Sequence, residues 1–194
     1  MRWLHIYLSM FGLAVVLFFS VTGLTLNHPD WFGEPERRVS AEGRMSAEWL
    51  RLDTPAGEAD GSRRVEKLEV VEYLRSTHGL RGSVAEFQVD EKECTVTFKG
   101  PGYAADALID RDSGRYELAQ TLHGFVALIN DLHKGRDTGR AWSAVIDASA
   151  IVLTFISLTG LVLLFYLKRK RIPGLLVTVG GAVAVAAVVI LLVP

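Results

Sequence analysis

The sequence predicts a membrane protein of α+β class. Three transmembrane helices are expected, with a small domain of one helix on an antiparallel sheet between the first and second. Three observations carry that prediction. Three long stretches contain no Asp, Glu, Lys or Arg. All 22 acidic residues fall between positions 30 and 147. Inside that charged interval, one helical pattern is followed by a series of short alternating segments.

The uncharged stretches are residues 3–29, 148–167 and 172–194. Each is about 20 residues or longer, enough for a helix to cross a bilayer core of ~30 Å. The first reads as a retained helix rather than a cleaved signal peptide, because its uncharged run is long and no small-x-small site follows it. Outside positions 30–147 the only charged residues are Arg2, Lys168, Arg169, Lys170 and Arg171. Basic loops stay on the cytoplasmic side. The expected topology therefore has a cytoplasmic N-terminus, an outward middle segment and a C-terminus at the outer face. In a bacterium this is the inner membrane with a periplasmic domain. The interval 30–147 holds 16 bases and 22 acids, a net charge of −6, which argues against a nucleic-acid partner.

In chain order, the first helix is placed at 1–28 and a linker at 29–64. Within the linker, Trp31 and Phe32 suit the membrane interface. A short helix is expected around 46–52, and DTPAGEADGSRR (53–64) reads as breaker-rich loop. The outward domain is placed at 65–119. VEKLEVVEYLRSTHGL (65–80) has helical spacing at Val65, Leu68, Val71 or Glu72, and Leu74, with Gly79 as its cap. Three strands follow. Their inward residues are expected to be Ala85, Phe87 and Val89; Cys94, Val96 and Phe98; and Tyr103, Ala105, Ala107 and Ile109. A turn and short strand in RDSGRYEL (111–118) close the domain. An interfacial segment is placed at 120–142, the second span at 143–167, a basic loop at 168–173 and the third span at 174–193. Cys94 is the only cysteine, so it makes neither an internal disulfide nor a metal cluster. It reads as a small buried strand residue.

FFSVTGLTL (18–26) in the first span returns as FISLTGLVL (155–163) in the second. The small residues permit close helix approach, and the hydroxyls can bond across or back to their own carbonyls. A flat macrocycle between two helices would use the same gap. Gly180, Gly181 and the Ala-rich run of the third span read as a packing face.

The helix, meander and ending YAADALIDRDSGRYEL resemble a PepSY domain, with Asp110, Ser113 and Gly114 in its turn positions. The spans resemble the PepSY-associated transmembrane family. Its first helix opens with Leu-His and ends with Thr-Gly, here Leu4-His5 and Thr22-Gly23. Its later helix follows Leu-His-x-Gly and ends in a second Thr-Gly, here Leu132-His133-Lys134-Gly135 and Thr159-Gly160. The chain departs in having three helices, fewer than larger members, and Ile6-Tyr7 where an Arg-Trp pair commonly follows the first His. The resemblance implies b-type haem on membrane histidines and electron transfer across the inner membrane, including reduction of ferric siderophores. It also implies periplasmic redox or flavin-carrying partners. PepSY domains are equally associated with restraining or chaperoning extracytoplasmic proteases.

Ionisable groups in a membrane are costly and are functional candidates. His5 and His28 lie at opposite ends of the first span, roughly 34 Å apart at ~1.5 Å per residue, so they cannot share a ligand. His28, His123 and His133 all fall at the outer face. Two imidazoles on opposite faces of an iron porphyrin make an electron-transfer haem. His28 with His133 is the preferred pair, His123 the substitute, and Arg136 a candidate for the propionates. His5 is either an interfacial anchor or a ligand completed by a residue from another subunit, and the latter favours a homo-oligomer or a larger membrane complex. Plainer readings stand beside these. His28 can cap a helix exit, His133 can turn the chain, His123 can be a satisfied interfacial residue, and the charges near His133 can form an exposed mesh of little consequence. His78 is expected at the solvent-exposed end of its helix. No phosphate loop, catalytic triad spacing or Cys/His metal cluster is present. The function expected is a haem-binding electron-transfer subunit, possible as part of a membrane oxidoreductase of ferric-reductase type. The alternatives are a cofactor-free anchored interaction module and an accessory subunit of a metal-uptake system.

Overall fold

The computed structural model describes residues 2–32, 36–50 and 65–194. The loop expected at 53–64 lies outside the described residues. Five helices are described: α1 (Arg2–Asn27), α2 (Lys67–His78), α3 (Phe125–Lys134), α4 (Gly139–Tyr166) and α5 (Arg171–Leu192). The strands are β1 (Arg37–Arg44), β2 (Ser83–Val89), β3 (Glu93–Gly100), β4 (Tyr103–Asp110) and β5 (Arg115–Leu122). α1, α4 and α5 are long and apolar enough to cross a membrane. The chain is a membrane protein of α+β class, as its charge pattern predicts. It divides into two compact units, Ser20–Ser143 and Met1–Phe19 with Ala144–Pro194.

In the Ser20–Ser143 unit the sheet is fully antiparallel, in the order β1-β5-β4-β3-β2. β1 arises where a linker is expected. It pairs with β5 from Arg37 opposite Leu122 to Arg44 opposite Arg115. On the face that carries Ala41 and Gly43 its only other apolar residue is Val39, itself exposed, too weak an apolar alternation to announce a strand. Gly43 is required there, because a side chain would collide with the Tyr116 ring on the neighbouring strand. β5 also runs on to Leu122, past the end expected for the domain.

The core lies between α2 and one sheet face. Cys94, Val96, Phe98, Ala105, Ala107 and Ile109 are fully buried, as the alternation predicts. Two details differ. In α2 the buried stripe is Val70 and Leu74, while Leu68 is 70% exposed. In β2 the register shifts between Val84 and Glu86, which leaves Ala85 on the exposed surface. Gly79 caps α2 in the left-handed region, with its N–H on the Arg75 carbonyl at 2.8 Å. His78 turns inward, its Nε2 2.7 Å from the Tyr116 hydroxyl, so it is half-buried rather than solvent-exposed. Burial, with Tyr73 nearby, pushes the Tyr116 phenol up to about 12. The turn before β5 is built by Asp110, whose Oδ1 accepts the Ser113 N–H at 2.7 Å and its hydroxyl at 2.6 Å.

In the other unit, three hydroxyls of α4 are satisfied within their own helix, as a low-dielectric medium favours, whereas the buried Ser9 hydroxyl of α1 has no hydrogen-bond partner among the described residues. Ser149, Thr154 and Ser157 donate to the Val145, Ala150 and Leu153 carbonyls at 2.7, 2.8 and 2.9 Å. At Gly12 of α1 a side chain would collide with Ile156 of α4, so the missing Cβ sets that approach. Gly180 and Gly181 have nothing within 4 Å of where a side chain would stand. The expected packing face of α5 therefore meets no partner among the described residues.

Candidate functional site

The Thr-Gly pairs of the two spans and the Leu-His pairs at His5 and His133 fit together in the same manner. α3 is the key element of the first pairing. Its apolar residues lie on one side, Gly124 precedes it, and Gly135 closes it in the left-handed region at φ 69°. The β3–β4 turn grips it. The Gly102 N–H donates to Asp131 Oδ2 at 2.9 Å, and the Gly102 Cα approaches Leu128 so closely that a Cβ would stand 3.0 Å from it. Held this way, α3 presents Asn130 and His133 to the C-terminal end of α1. Thr22 Oγ1 lies 2.6 Å from His133 Nδ1. Thr25 Oγ1 donates to the Thr22 carbonyl at 2.9 Å and lies 2.7 Å from Asn130 Oδ1. Thr22 and Thr25 are buried, 2% and 6% exposed. A Cβ on Gly23 would stand 3.6 Å from His133 Cε1, so the ring rests on the glycine. Trp142 Nε1 donates to the Leu132 carbonyl at 2.8 Å and fixes the helix end that carries His133.

The second pairing lies in the other unit. His5 of α1 places Nδ1 3.0 Å from Thr159 Oγ1 of α4. Thr159 Oγ1 also sits 2.8 Å from the Phe155 carbonyl and 3.0 Å from that of Ile156. A hydroxyl has one proton. With that proton on the helix carbonyls, Oγ1 is an acceptor toward His5, so Nδ1 carries the hydrogen. An imidazole of that tautomer bears its lone pair on Nε2. That tautomer, fixed by a partner on Nδ1, is the one an imidazole uses as an Nε2 metal ligand. A Cβ on Gly160 would stand only 3.2 Å from His5 Cε1. Glycine makes room for the ring, and threonine orients it.

The remaining sequence candidates hold other partners. His28 stacks on Trp31, with ring centroids 3.9 Å apart and planes 5° from parallel, and its Nε2 is 3.3 Å from Asn27 Nδ2. His123 Nδ1 is 3.2 Å from Glu36 Oε1. The Arg38 guanidinium, 3.1 Å away, and His123 hold the Glu36 carboxyl below its ordinary range. His123 and Arg136 line a common cleft of 310 Å³ with Lys99, Tyr103 and Asp131. Arg136 thus shares a cleft with His123, while His133 engages α1. Among the described residues, no three of His, Cys, Asp and Glu gather as a metal site.

Sequence reasoning names His5 and His133 among its candidates but prefers His28 beside His133, and it misses the threonine that each ring meets. The available signal is that the first two uncharged spans each hold one Thr-Gly pair, at 22–23 and 159–160, among three Leu-His and three Thr-Gly pairs in the chain. Arg111 is also missed. It is 5% exposed, and its guanidinium donates to the Asp90 carbonyl at 2.6 Å and the Glu91 carbonyl at 3.3 Å, tying down the β2–β3 turn.

Compared with known families, residues 1–194 match the model of the family described as "Putative PepSY_TM-like". No curated protein and no solved structure matches the chain.

Proposed function

The chain belongs to the PepSY_TM-like family, and on that premise we propose that it is a haem-binding electron-transfer subunit of the bacterial inner membrane. One observation carries this reading: two of the three Leu-His pairs, those at His5 and His133, place their imidazoles through Nδ1 on a Thr-Gly pair of a membrane-spanning helix. A histidine inside such a segment, as His5 is, costs free energy unless it is used. Here both rings are oriented by a partner of the kind that accompanies ligating histidines.

His5 and His133 are the ligand candidates best supported by this orientation. Haem b, when bound, supplies reversible one-electron chemistry. The residues hold and orient: Thr159 keeps the Nδ1 proton of His5 away from the ligating nitrogen, and Gly160 and Gly23 give the rings space. His28 remains a second axial candidate at its end of α1, and a second copy of the chain remains a source of a further ligand. His123 and Arg136, sharing the cleft beside α3, would meet a carboxylate-bearing group or the edge of a redox partner. The domain of Ser20–Ser143 would dock that partner, a periplasmic redox or flavin-carrying protein. In this arrangement the N-terminus and the loop of Lys168, Arg169, Lys170 and Arg171 face the cytoplasm, in keeping with the retention of basic loops there.

The absorption spectrum of the full chain, expressed with haem supplied and recorded before and after dithionite, tests the proposal. A Soret band that sharpens on reduction is expected, with less haem per chain in His133→Phe and in His5→Phe. No Soret band in the wild type removes the redox reading. The same Thr–His bonds would then act as latches between helices in an anchored interaction module, the second reading that this geometry favours.

A further inference from the structure

α4 and α5 enclose a groove of 670 Å³ on the side of Gly160 next to the basic loop. Gly160, Leu161, Leu164, Gly174 and Val177 line it, and Lys170, of the basic loop, lines it as well. At Gly174 a side chain would collide with Leu164. Two hydroxyls line the groove, but neither offers a donor to an occupant. Ser157 donates to the Leu153 carbonyl at 2.9 Å, and Thr178 to the Gly174 carbonyl at 2.9 Å. The interior is thus apolar in chemistry as well as composition.

The basic loop is the reverse. Lys168, Arg169, Lys170 and Arg171 are consecutive, exposed and without a neighbouring carboxylate in sequence, since the nearest acidic residue before them is Asp147. An apolar slot ending in uncompensated positive charge matches an amphiphile with a hydrocarbon chain and an anionic head. Basic pockets at the ends of membrane helices recognise anionic lipid in this way. The volume falls in the range of roughly 300–1,000 Å³ typical of small-molecule sites.

We infer that this groove is a binding site for an anionic phospholipid, with one acyl chain between α4 and α5 and the phosphate at Lys170. The occupant lies in the leaflet that borders the basic loop. Because Gly160 both lines the groove and seats the His5 ring, the lipid shares that residue with the His5–Thr159 pairing. The site stands whether or not that pairing serves a haem.

The test uses the full chain reconstituted in vesicles of equimolar phosphatidylcholine and phosphatidylglycerol, then released for native mass spectrometry. The wild type should retain phosphatidylglycerol over phosphatidylcholine. Lys170→Gln should cut that preference about five-fold, the equivalent of ~1 kcal/mol for one basic residue near an anionic headgroup. Lys168→Gln, a charge change outside the groove lining, should alter it less than two-fold. Val177→Phe, at a site 76% exposed, should fill the groove and lower retention of both lipids. Equal retention of the two lipids by the wild type overturns the inference. So do equal effects of the two lysine variants, or Val177→Phe lipid counts equal to wild type. A loss of dimer mass in Val177→Phe without loss of lipid would assign the groove to a second copy instead.

Discussion

Replacing Thr22 with valine removes one hydroxyl at nearly constant shape. The structure gives a definite consequence. Thr22 is 2% exposed, and its Oγ1 lies 2.6 Å from His133 Nδ1. A net hydrogen bond contributes about 1 kcal/mol, and a buried polar atom left without its partner costs about 1–3 kcal/mol. Between helices in a membrane the coupling is smaller, averaging ~0.6 and reaching ~1.7 kcal/mol. A short bond to a buried threonine should fall in the upper part of that range, so the expected coupling is about 1–1.5 kcal/mol. His133→Phe keeps a ring on Gly23 but removes both nitrogens, and completes a double-mutant cycle. Hydrogen–deuterium exchange of α3 amides in the detergent-solubilised full chain reads the local opening. Thr22→Val should lower α3 protection roughly ten-fold, and the double variant should be little worse than His133→Phe alone. Additive losses, with coupling under about 0.3 kcal/mol, would refute the claim that this bond seats α3 on α1.

Four further outcomes follow from single contacts. Gly160→Val should displace the His5 ring, because even one Cβ would stand 3.2 Å from Cε1; the His5 imidazole resonances in NMR should shift, while those of His133 stay. Leu74→Ala should destabilise the Ser20–Ser143 unit by about 2–5 kcal/mol, whereas Leu68→Ala, at 70% exposure, should stay within about 0.5 kcal/mol; thermal unfolding monitored by circular dichroism separates them. Burial pushes the Cys94 thiol up, so maleimide should label it only after denaturation, and prompt labelling of the native chain would contradict the placement of β3. The Ser113 hydroxyl, then its N–H, hold the Asp110 carboxyl below its ordinary range. Its contribution is therefore present above the unfolded value of about 3.9 and lost as pH falls through the lower folded value; Asp110→Asn should flatten that part of the acid-unfolding curve.

Most of the architecture is legible because hydrophobic period and charge are both strong there. Val96, Phe98, Ala107 and Ile109 alternate without interruption and are all fully buried. The three spans are free of charge over their central turns. What escapes has a local cause. β1 lies at the sheet edge and has only the exposed Val39 beside Ala41 and Gly43 on one face, so its apolar signal is faint. Leu68 fits a helical period but falls on the solvent side, because Val70 and Leu74 are the positions the sheet reaches. The histidine environments are legible only in part. Sequence spacing shows which histidines share an end of a span, but not which hydroxyl each ring will meet. That choice depends on α3 being gripped by the β3–β4 turn at Gly102 and Asp131, a tertiary contact between distant segments.

The Thr-Gly repeat of the two spans can therefore be read as a two-part seat. Thr159 illustrates why both parts are needed. Its hydroxyl proton is drawn to the carbonyls one turn earlier, at 2.8 and 3.0 Å, which leaves an oxygen that can only accept. Serine could supply the same oxygen, but without a β-methyl its χ1 is freer to turn away. The following glycine matters for a different reason: the ring that donates to Thr159 also lies over residue 160, so any side chain there competes with it. Alanine at Gly160 with Thr159 intact, and valine at Thr159 with Gly160 intact, should thus fail differently. The first should keep the Nδ1 proton while shifting the ring. The second should keep the ring near its place while freeing the tautomer. Nitrogen-15 spectra of the His5 ring distinguish those states. A single shared phenotype would mean that the Thr-Gly pair acts only as a gap between helices.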